Sequence, residues 1–240
     1  MKLWVFGCSF SIGSNFKHPN LWQYDKNWID IVYEDLKFDQ VANFAQFGVS
    51  NEFIFKNVVE QSVKYSAGDV IIIQLTSPIR KWFFPDDPVL SNFTNTKPEA
   101  FPNDSYKAIK SYLTHLQNPQ CDDIIYSAYV YAIEHIKSVR SDCNFVILPG
   151  WGDYPRVLGN LSEICDGEFD NKENCKNFYE EHSWDPRLNH FSEENHTVLG
   201  EKILEYIKSD DLEKVLDLEN GFTKSLYNKE YIGEDKKYCT

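Results

Sequence analysis

The stretch Asp69-Val70-Ile71-Ile72-Ile73-Gln74-Leu75 contains the strongest strand signal in the chain. Four consecutive β-branched residues without polar alternation are typical of a strand that is buried on both faces. Such strands lie at the centre of parallel sheets, where helices cover both faces. This segment therefore predicts an α/β fold built around a parallel sheet.

Shorter apolar runs on either side of this segment predict three more strands, at residues 2–6, 41–45 and 144–148. Apolar residues recur at helical spacing in the segments between and after them. The predicted helices cover residues 27–36, 50–65, 122–139 and 193–209, with Asn27, Ser50 and Ser192 as the caps of the first, second and fourth. Strands alternating with helices predict a parallel sheet covered on both faces, with a site at the carboxyl ends of the strands.

The length of 240 residues suits one α/β domain, which we expect to span residues 1–210. Residues 83–104 are rich in Pro, Asp and Asn and have no periodicity, so we predict a surface insertion over about residues 83–118. Residues 211–240 are charged with a few aromatics. We expect them to form a tail that packs on the domain or on a partner, and self-association is plausible.

The net charge of −13 argues against a surface that binds nucleic acid, because phosphates require a basic patch. No apolar run is long enough for a membrane span, and the first residues lack the features of a signal peptide. The six cysteines show no metal-ligand spacing, which favours free thiols in a reducing compartment. We therefore expect a cytoplasmic protein, or a virion-associated one if its origin is viral, with no cofactor and no metal.

Three polar motifs follow predicted strands, at residues 7–13, 43–51 and 74–80. The carboxyl ends of parallel strands share one edge of the sheet, so we expect these motifs to converge there. The first contains Ser9 on a loop that Gly7 opens, where a hydroxyl can stand beside backbone N–H groups. Taken alone, a serine in this position is more often a turn former or a phosphate ligand.

A serine nucleophile needs a base, and His190 is the best placed of the six histidines. It lies in the loop immediately before the last predicted helix, from which it can reach across the sheet edge. A metal site built from Cys175, His182, Asp185 and His190 is conceivable, but its spacing matches no standard pattern.

These motifs resemble those of the SGNH/GDSL hydrolase family, in particular a branch whose first block reads Gly-Cys-Ser-Phe. Gly7-Cys8-Ser9-Phe10 matches that block, and residues 43–51 are similar to the second block, whose glycine here is Gly48. Residues 190–196, His-Phe-Ser-Glu-Glu-Asn-His, are similar to the last block. The matches follow the family order from residue 4 to about residue 205.

The resemblance implies a flavodoxin-like, three-layer α/β/α sandwich and the hydrolysis of an acyl or acetyl ester. Ser9 would be the nucleophile and His190 the base, with the backbone N–H groups of Ser9 and Gly48 in the oxyanion hole. The substrate would be a small-molecule or glycan ester.

The chain departs from the family pattern at two positions. Pro78 occupies the place of the third-block asparagine, and Asn51, Gln74 and Arg80 are the candidates to substitute for it. Arg187 stands where the family has its aspartate, so Asp185 is the candidate acid. We assign Asn51 to the oxyanion hole, and Gln74, Arg80 and Trp151 to substrate binding.

Two other functions remain open. A catalytically weakened member of this fold would serve carbohydrate binding or assembly, and predicted loops near the site carry aromatic residues that suit sugar stacking: Trp82, Phe83, Phe84, Trp151, Tyr154 and Trp184. Most of these are more simply interpreted as core or loop anchors. A nucleotide-binding flavodoxin-like protein would leave the His190 block unexplained.

Overall fold

A computed structural model gives the structure of residues 1–12, 27–46, 48–77, 119–150, 154–165, 190–209, 211 and 213–223. In chain order these form β1 (Lys2–Phe6), α1 (Trp28–Leu36), β2 (Gln40–Asn43), α2 (Asn51–Ser62), β3 (Val70–Gln74), α3 (Pro119–Val139), β4 (Asn144–Leu148), β5 (Val157–Leu158), α4 (Glu193–Lys208) and β6 (Leu216–Asp217). Short 3-10 turns lie at Ser9–Ser11 and Leu161–Ile164.

Four strands form a parallel sheet in the order β2-β1-β3-β4. This order is that of a flavodoxin-like sheet, with β1 and β3 at its centre. Every residue of β3 is buried, as the apolar run predicts. The α/β fold with a parallel sheet is therefore confirmed.

Helices cover the sheet in two layers, α1 with α4 and α2 with α3. The axes of α1 and α4 approach closely because Gly200 has no side chain. A Cβ atom at Gly200 would lie 2.9 Å from Cγ2 of Ile31, which is closer than such carbon atoms approach. None of the helices in the described ranges is long and apolar enough to cross a membrane.

The three predicted helix caps are confirmed by hydrogen bonds, whereas the third helix begins at Pro119, before the predicted residue 122. The Asn27 side chain accepts from the backbone N–H groups of Ile29 and Asp30, and the Asp30 carboxylate accepts from the Asn27 N–H. This reciprocal pair is a capping box, which satisfies donors that the first helical turn leaves open. Ser50 and Ser192 cap α2 and α4 in the simpler one-way manner.

The start of the predicted tail is part of the folded structure. β6 pairs in parallel with β5, and Leu216, Leu218 and Phe222 are buried in the core. The short β5–β6 pair was not predicted, because two-residue strands carry no periodicity. The domain boundary at residue 210 stays a prediction, and the predicted insertion at 83–118 lies outside the described residues.

Asp69 links the amino ends of β1 and β3 through hydrogen bonds. Its carboxylate, 3% exposed, accepts from the Lys2 backbone N–H at 2.8 Å, from Trp4 Nε1 at 2.9 Å and from the Ser66 N–H at 3.0 Å. Burial by itself would raise the pKa of this carboxyl. The three hydrogen bonds outweigh burial and hold the pKa below its ordinary value.

We expect Asp69→Asn to lower the free energy of unfolding at neutral pH by about 1–3 kcal/mol, since it removes an acceptor from buried donors. Because the folded pKa is depressed, the carboxylate's contribution is complete above the unfolded value of 3.8 and is lost as the pH falls through the folded pKa. Denaturant unfolding from about pH 7 to about pH 3 should therefore show the gap between wild type and variant closing in acid.

The exposed Asp211→Asn is the matched control and should leave the free energy of unfolding nearly unchanged throughout. A gap between wild type and Asp69→Asn that stays constant down to the lowest pH would contradict the assignment.

Candidate active site

The segment after β1 turns sharply at the carboxyl edge of the sheet. The backbone N–H of Ser11 donates to the Cys8 carbonyl at 3.0 Å and closes the 3-10 turn Ser9–Ser11. Ser9 is half-buried, whereas Cys8 and residues 10–12 are fully buried. The turn therefore presents Ser9 more openly than its neighbours.

Side chains from two other elements hold this turn. Three successive carbonyls accept hydrogen bonds: Phe10 from Trp28 Nε1 at 2.8 Å, Ser11 from Asn43 Nδ2 at 2.9 Å and Ile12 from Asn27 Nδ2 at 2.9 Å. The donors come from the start of α1 and the end of β2. These three hydrogen bonds therefore fix the carbonyl groups of the turn in the free protein.

Gln74 holds the turn from the side of β3. Its carboxamide oxygen accepts from the Cys8 backbone N–H at 2.8 Å and from Ser11 Oγ at 3.4 Å. Its Nε2 donates to the Leu75 carbonyl. The sequence places Gln74 among the substrate-binding residues, but its side chain is 0% exposed and engaged by the protein's own backbone.

Gly7 allows this approach because it has no side chain. A Cβ atom there would lie 2.7 Å from Ser11 Oγ and 2.8 Å from Gln74 Oε1. Both distances are shorter than real Cβ contacts, so a larger residue must displace the turn or the Gln74 amide. The glycine of the first block is therefore required by packing against β3.

His190 lies against the Ser9 turn. Its ring stacks on the Phe10 ring, with centroids 5.2 Å apart and planes 26° apart. Phe191 also packs on Phe10, at 5.0 Å between centroids. His190 is 2% exposed and lies two residues before the Ser192 cap of α4. The structure thus brings the first and last sequence motifs together.

The segment after β2 runs beside Gly7. The Gln46 backbone N–H donates to the Gly7 carbonyl at 3.1 Å, and the Phe44 backbone N–H donates to the Val5 carbonyl at 2.8 Å. Gly48 follows in the left-handed region at φ 68°, a conformation that favours glycine. The second motif therefore lies at the same edge of the sheet as Ser9.

Asn51 is buried at the first position of α2. Its Oδ1 accepts from the Thr76 backbone N–H at 2.7 Å, and its Nδ2 donates to the Thr76 carbonyl at 2.9 Å. This two-way pairing fixes the chain where it leaves β3. The sequence predicts Asn51 as an oxyanion donor, and the structure shows its amide engaged with Thr76.

Several predicted site residues lie outside the described residues: Arg80, Trp151 and Asp185, with Trp82, Phe83, Phe84 and Trp184 among the proposed sugar-stacking aromatics. Tyr154 is described, and it is buried with its hydroxyl donating to Glu134 Oε1 at 2.6 Å. Burial and the neighbouring Glu134 carboxylate raise the pKa of this phenol. Tyr154 is therefore a core anchor and offers no face for a sugar.

No group of three or more metal-ligating side chains occurs among the described residues. Cys8, Cys143 and Cys165 are free thiols.

Sequence reasoning missed the anchoring of the turn. Trp28 and Asn27 were assigned to the helix, and Asn43 to the second motif, without a contact to residues 10–12. One signal was available in Gln74, since a polar residue that ends an otherwise apolar buried strand must find hydrogen-bond partners. The sequence does not say which backbone group meets that need.

We expect Gly7→Ala to lower the free energy of unfolding by about 1–3 kcal/mol, since its methyl group overpacks the contact with Gln74. Chemical denaturation would measure the loss. Gly68→Ala is the matched control, because Gly68 has open space around it and its cost comes from its positive φ alone. Gly7 does not have a positive φ, so any cost of Gly7→Ala must come from packing. If the free energy of unfolding of Gly7→Ala were equal to or above that of wild type, the contact between Gly7 and Gln74 would not be tight.

Comparison with known proteins yields little. No protein-family model matches the chain, and no curated protein matches it. Among solved structures, a member of the lipolytic protein G-D-S-L family from Veillonella parvula is similar over 85% of this chain and 96% of its own, with 12% identity and a TM-score of 0.34. A likeness at this level does not establish family membership.

Proposed function

We propose that the chain is a serine hydrolase that cleaves a carboxylic ester through an acyl-enzyme on Ser9, with His190 as general base. The observation that carries this proposal is the stacking of the His190 ring on Phe10, the residue directly after Ser9. The segments that carry the proposed nucleophile and the proposed base therefore contact each other at one edge of the sheet. A hydroxyl and an imidazole are the minimum pair that nucleophilic serine chemistry requires.

In the proposed reaction, Ser9 Oγ attacks the ester carbonyl carbon while His190 accepts the hydroxyl proton. The tetrahedral intermediate collapses, the C–O bond of the ester breaks, and the alcohol leaves with the proton from His190. Water then attacks the acyl-enzyme and gives a proton to His190. The second tetrahedral intermediate collapses as the bond to Ser9 Oγ breaks and His190 returns the proton to that oxygen, which releases the carboxylic acid and restores Ser9. Each step balances within the substrate, one water molecule and these two residues.

The oxyanion of the intermediate requires hydrogen-bond donors that are already in place. We assign this role to the backbone N–H groups of Ser9 and Gly48, each contributing about 3 kcal/mol by analogy with other oxyanion holes. The anchoring of residues 8–12 by Gln74, Trp28 and the two asparagines supports the assignment, because rigid donors need no reorganisation during the reaction.

The proposed base is part of a packed aromatic cluster. His190 stacks on Phe10, and Phe191 packs on Phe10 and edge-on against the His196 ring at 5.3 Å. These contacts restrict rotation of the imidazole and favour one approach to Ser9. We propose Asp185 as the orienting acid; without it the pair would act as a Ser–His dyad.

The proposed substrate class is an acyl or acetyl ester on a small molecule or a glycan. The alternative is a catalytically weakened protein of this fold that binds carbohydrate or serves assembly. The burial of Tyr154 removes one of the aromatic residues on which that alternative depends. Reaction with a serine-directed probe separates the two functions.

We expect a fluorophosphonate probe to label the wild-type protein at a pH between about 6 and 9, where a histidine base is available. Ser9→Ala should abolish labelling because the nucleophile is lost. His190→Ala should slow it by about 100-fold or more, the usual contribution of a general base. Intact-protein mass spectrometry would measure the adduct and its rate of formation.

Two matched variants control for the substitutions themselves. Ser62→Ala removes a hydroxyl that bonds within α2, and His135→Ala removes an exposed imidazole on α3. Both should label at the wild-type rate. If the wild type takes up no probe across this pH range, the binding or assembly function is the better reading.

A further inference from the structure

We propose that Gln74 is a positioning residue that sets the reactivity of Ser9, an inference that rests on the proposed hydrolase function. Its carboxamide oxygen accepts hydrogen bonds from Cys8 N–H and Ser11 Oγ, on the two sides of Ser9. The side chain has no exposed surface and never meets substrate. It acts through the turn that carries the nucleophile.

The surroundings of Gln74 determine which end of its amide faces the turn. The Leu75 carbonyl accepts from Nε2, and the Cys8 N–H requires an acceptor, which Oε1 supplies. If the amide were rotated by 180°, Nε2 would face the Cys8 N–H and Oε1 would face the Leu75 carbonyl, so neither hydrogen bond could form. A glutamine therefore fits this position in one orientation.

This orientation controls the peptide bond before Ser9. The Cys8 carbonyl points into the turn, where it accepts from the Ser11 N–H at 3.0 Å. In a trans peptide the next N–H points in the opposite direction, so the Ser9 N–H is directed away from the interior of the turn. By holding Cys8 and Ser11 together, Gln74 fixes the plane of the peptide bond between Cys8 and Ser9. That plane sets the direction of the Ser9 N–H, which is the proposed oxyanion donor.

Asp69, the residue directly before β3, provides a control. It lies five residues before Gln74, roughly 17 Å away along an extended strand. Like Gln74, it is buried and accepts a backbone N–H at one end of β1. Loss of either acceptor should destabilise the sheet, but the Asp69 contacts do not reach the Ser9 turn.

The test compares Gln74→Met, which keeps the length of the side chain without its acceptor, with Asp69→Ala. Both are assayed for fluorophosphonate labelling and p-nitrophenyl acetate hydrolysis at a temperature where circular dichroism shows them folded. We expect Gln74→Met to lower the labelling rate and kcat by about 10- to 100-fold, the usual effect of a misplaced reacting group. KM should stay within about twofold of wild type, and Asp69→Ala should match wild type in both assays.

Gln74→Glu adds a readout that a purely structural role would not move. A protonated glutamic acid accepts from the Cys8 N–H and donates to the Leu75 carbonyl, whereas the ionised form has no proton to donate. The ratio of variant to wild-type labelling should therefore fall as the pH rises from about 5 to about 9, because burial raises a carboxyl pKa into this range. Circular dichroism at each pH separates this loss from unfolding.

The possible failures are distinct. Labelling of folded Gln74→Met at the wild-type rate, or a Gln74→Glu ratio that does not change with pH, overturns the role of Gln74 and leaves the proposed function standing. An equal loss of rate in Asp69→Ala also overturns it, since the effect would then be general to β3. A wild type that takes up no probe overturns both proposals together.

Discussion

Two polar side chains at the ends of β3 hold β1 in register, and one of them, Gln74, also holds the turn that carries Ser9. Asp69 accepts the backbone N–H of Lys2, and Gln74 accepts that of Cys8, both at 2.8 Å. Between them lies the apolar run that forms the centre of the sheet. A buried polar group without a partner is costly, so each acceptor specifies one pairing of the two strands. At the carboxyl end of the two strands, the Gln74 contact with Cys8 also sets the position of the turn after β1.

The hydrogen bonds from β3 hold only one side of this turn. Trp28 and Asn27 at the start of α1 and Asn43 at the end of β2 bond its carbonyls. Elements that are distant from one another in the sequence thus contact the same short segment, residues 8–12. A site built in this way is rigid because each anchor lies in or next to a regular element, and because α1, whose start supplies two of the anchors, packs closely on α4 at Gly200.

Local sequence signals predicted the elements well, and the contacts among them poorly. The runs at residues 2–6 and 144–148 gave strands with those bounds, and Asn27, Ser50 and Ser192 gave the helix starts. Each of these depends on neighbours within a few residues. The pairings of Gln74 with Cys8 and of Asn51 with Thr76 span 66 and 25 residues. They depend on strand order and register, which a hydrophobic pattern does not encode. The ring contact of His190 with Phe10 likewise joins segments that are far apart in the sequence.

The proline at position 78 changes what the proposed chemistry requires of the fold. An asparagine side chain can adjust its rotamer to reach an oxyanion, but a proline side chain offers no donor. The proposed oxyanion hole then relies on backbone N–H groups, and their directions are set by peptide planes. A peptide plane can be aimed only by fixing the atoms on both sides of it, as Gln74 does for the residues that flank Ser9. An oxyanion hole of the proposed kind, built from backbone donors alone, therefore depends more strongly on the buried hydrogen bonds beneath the turn.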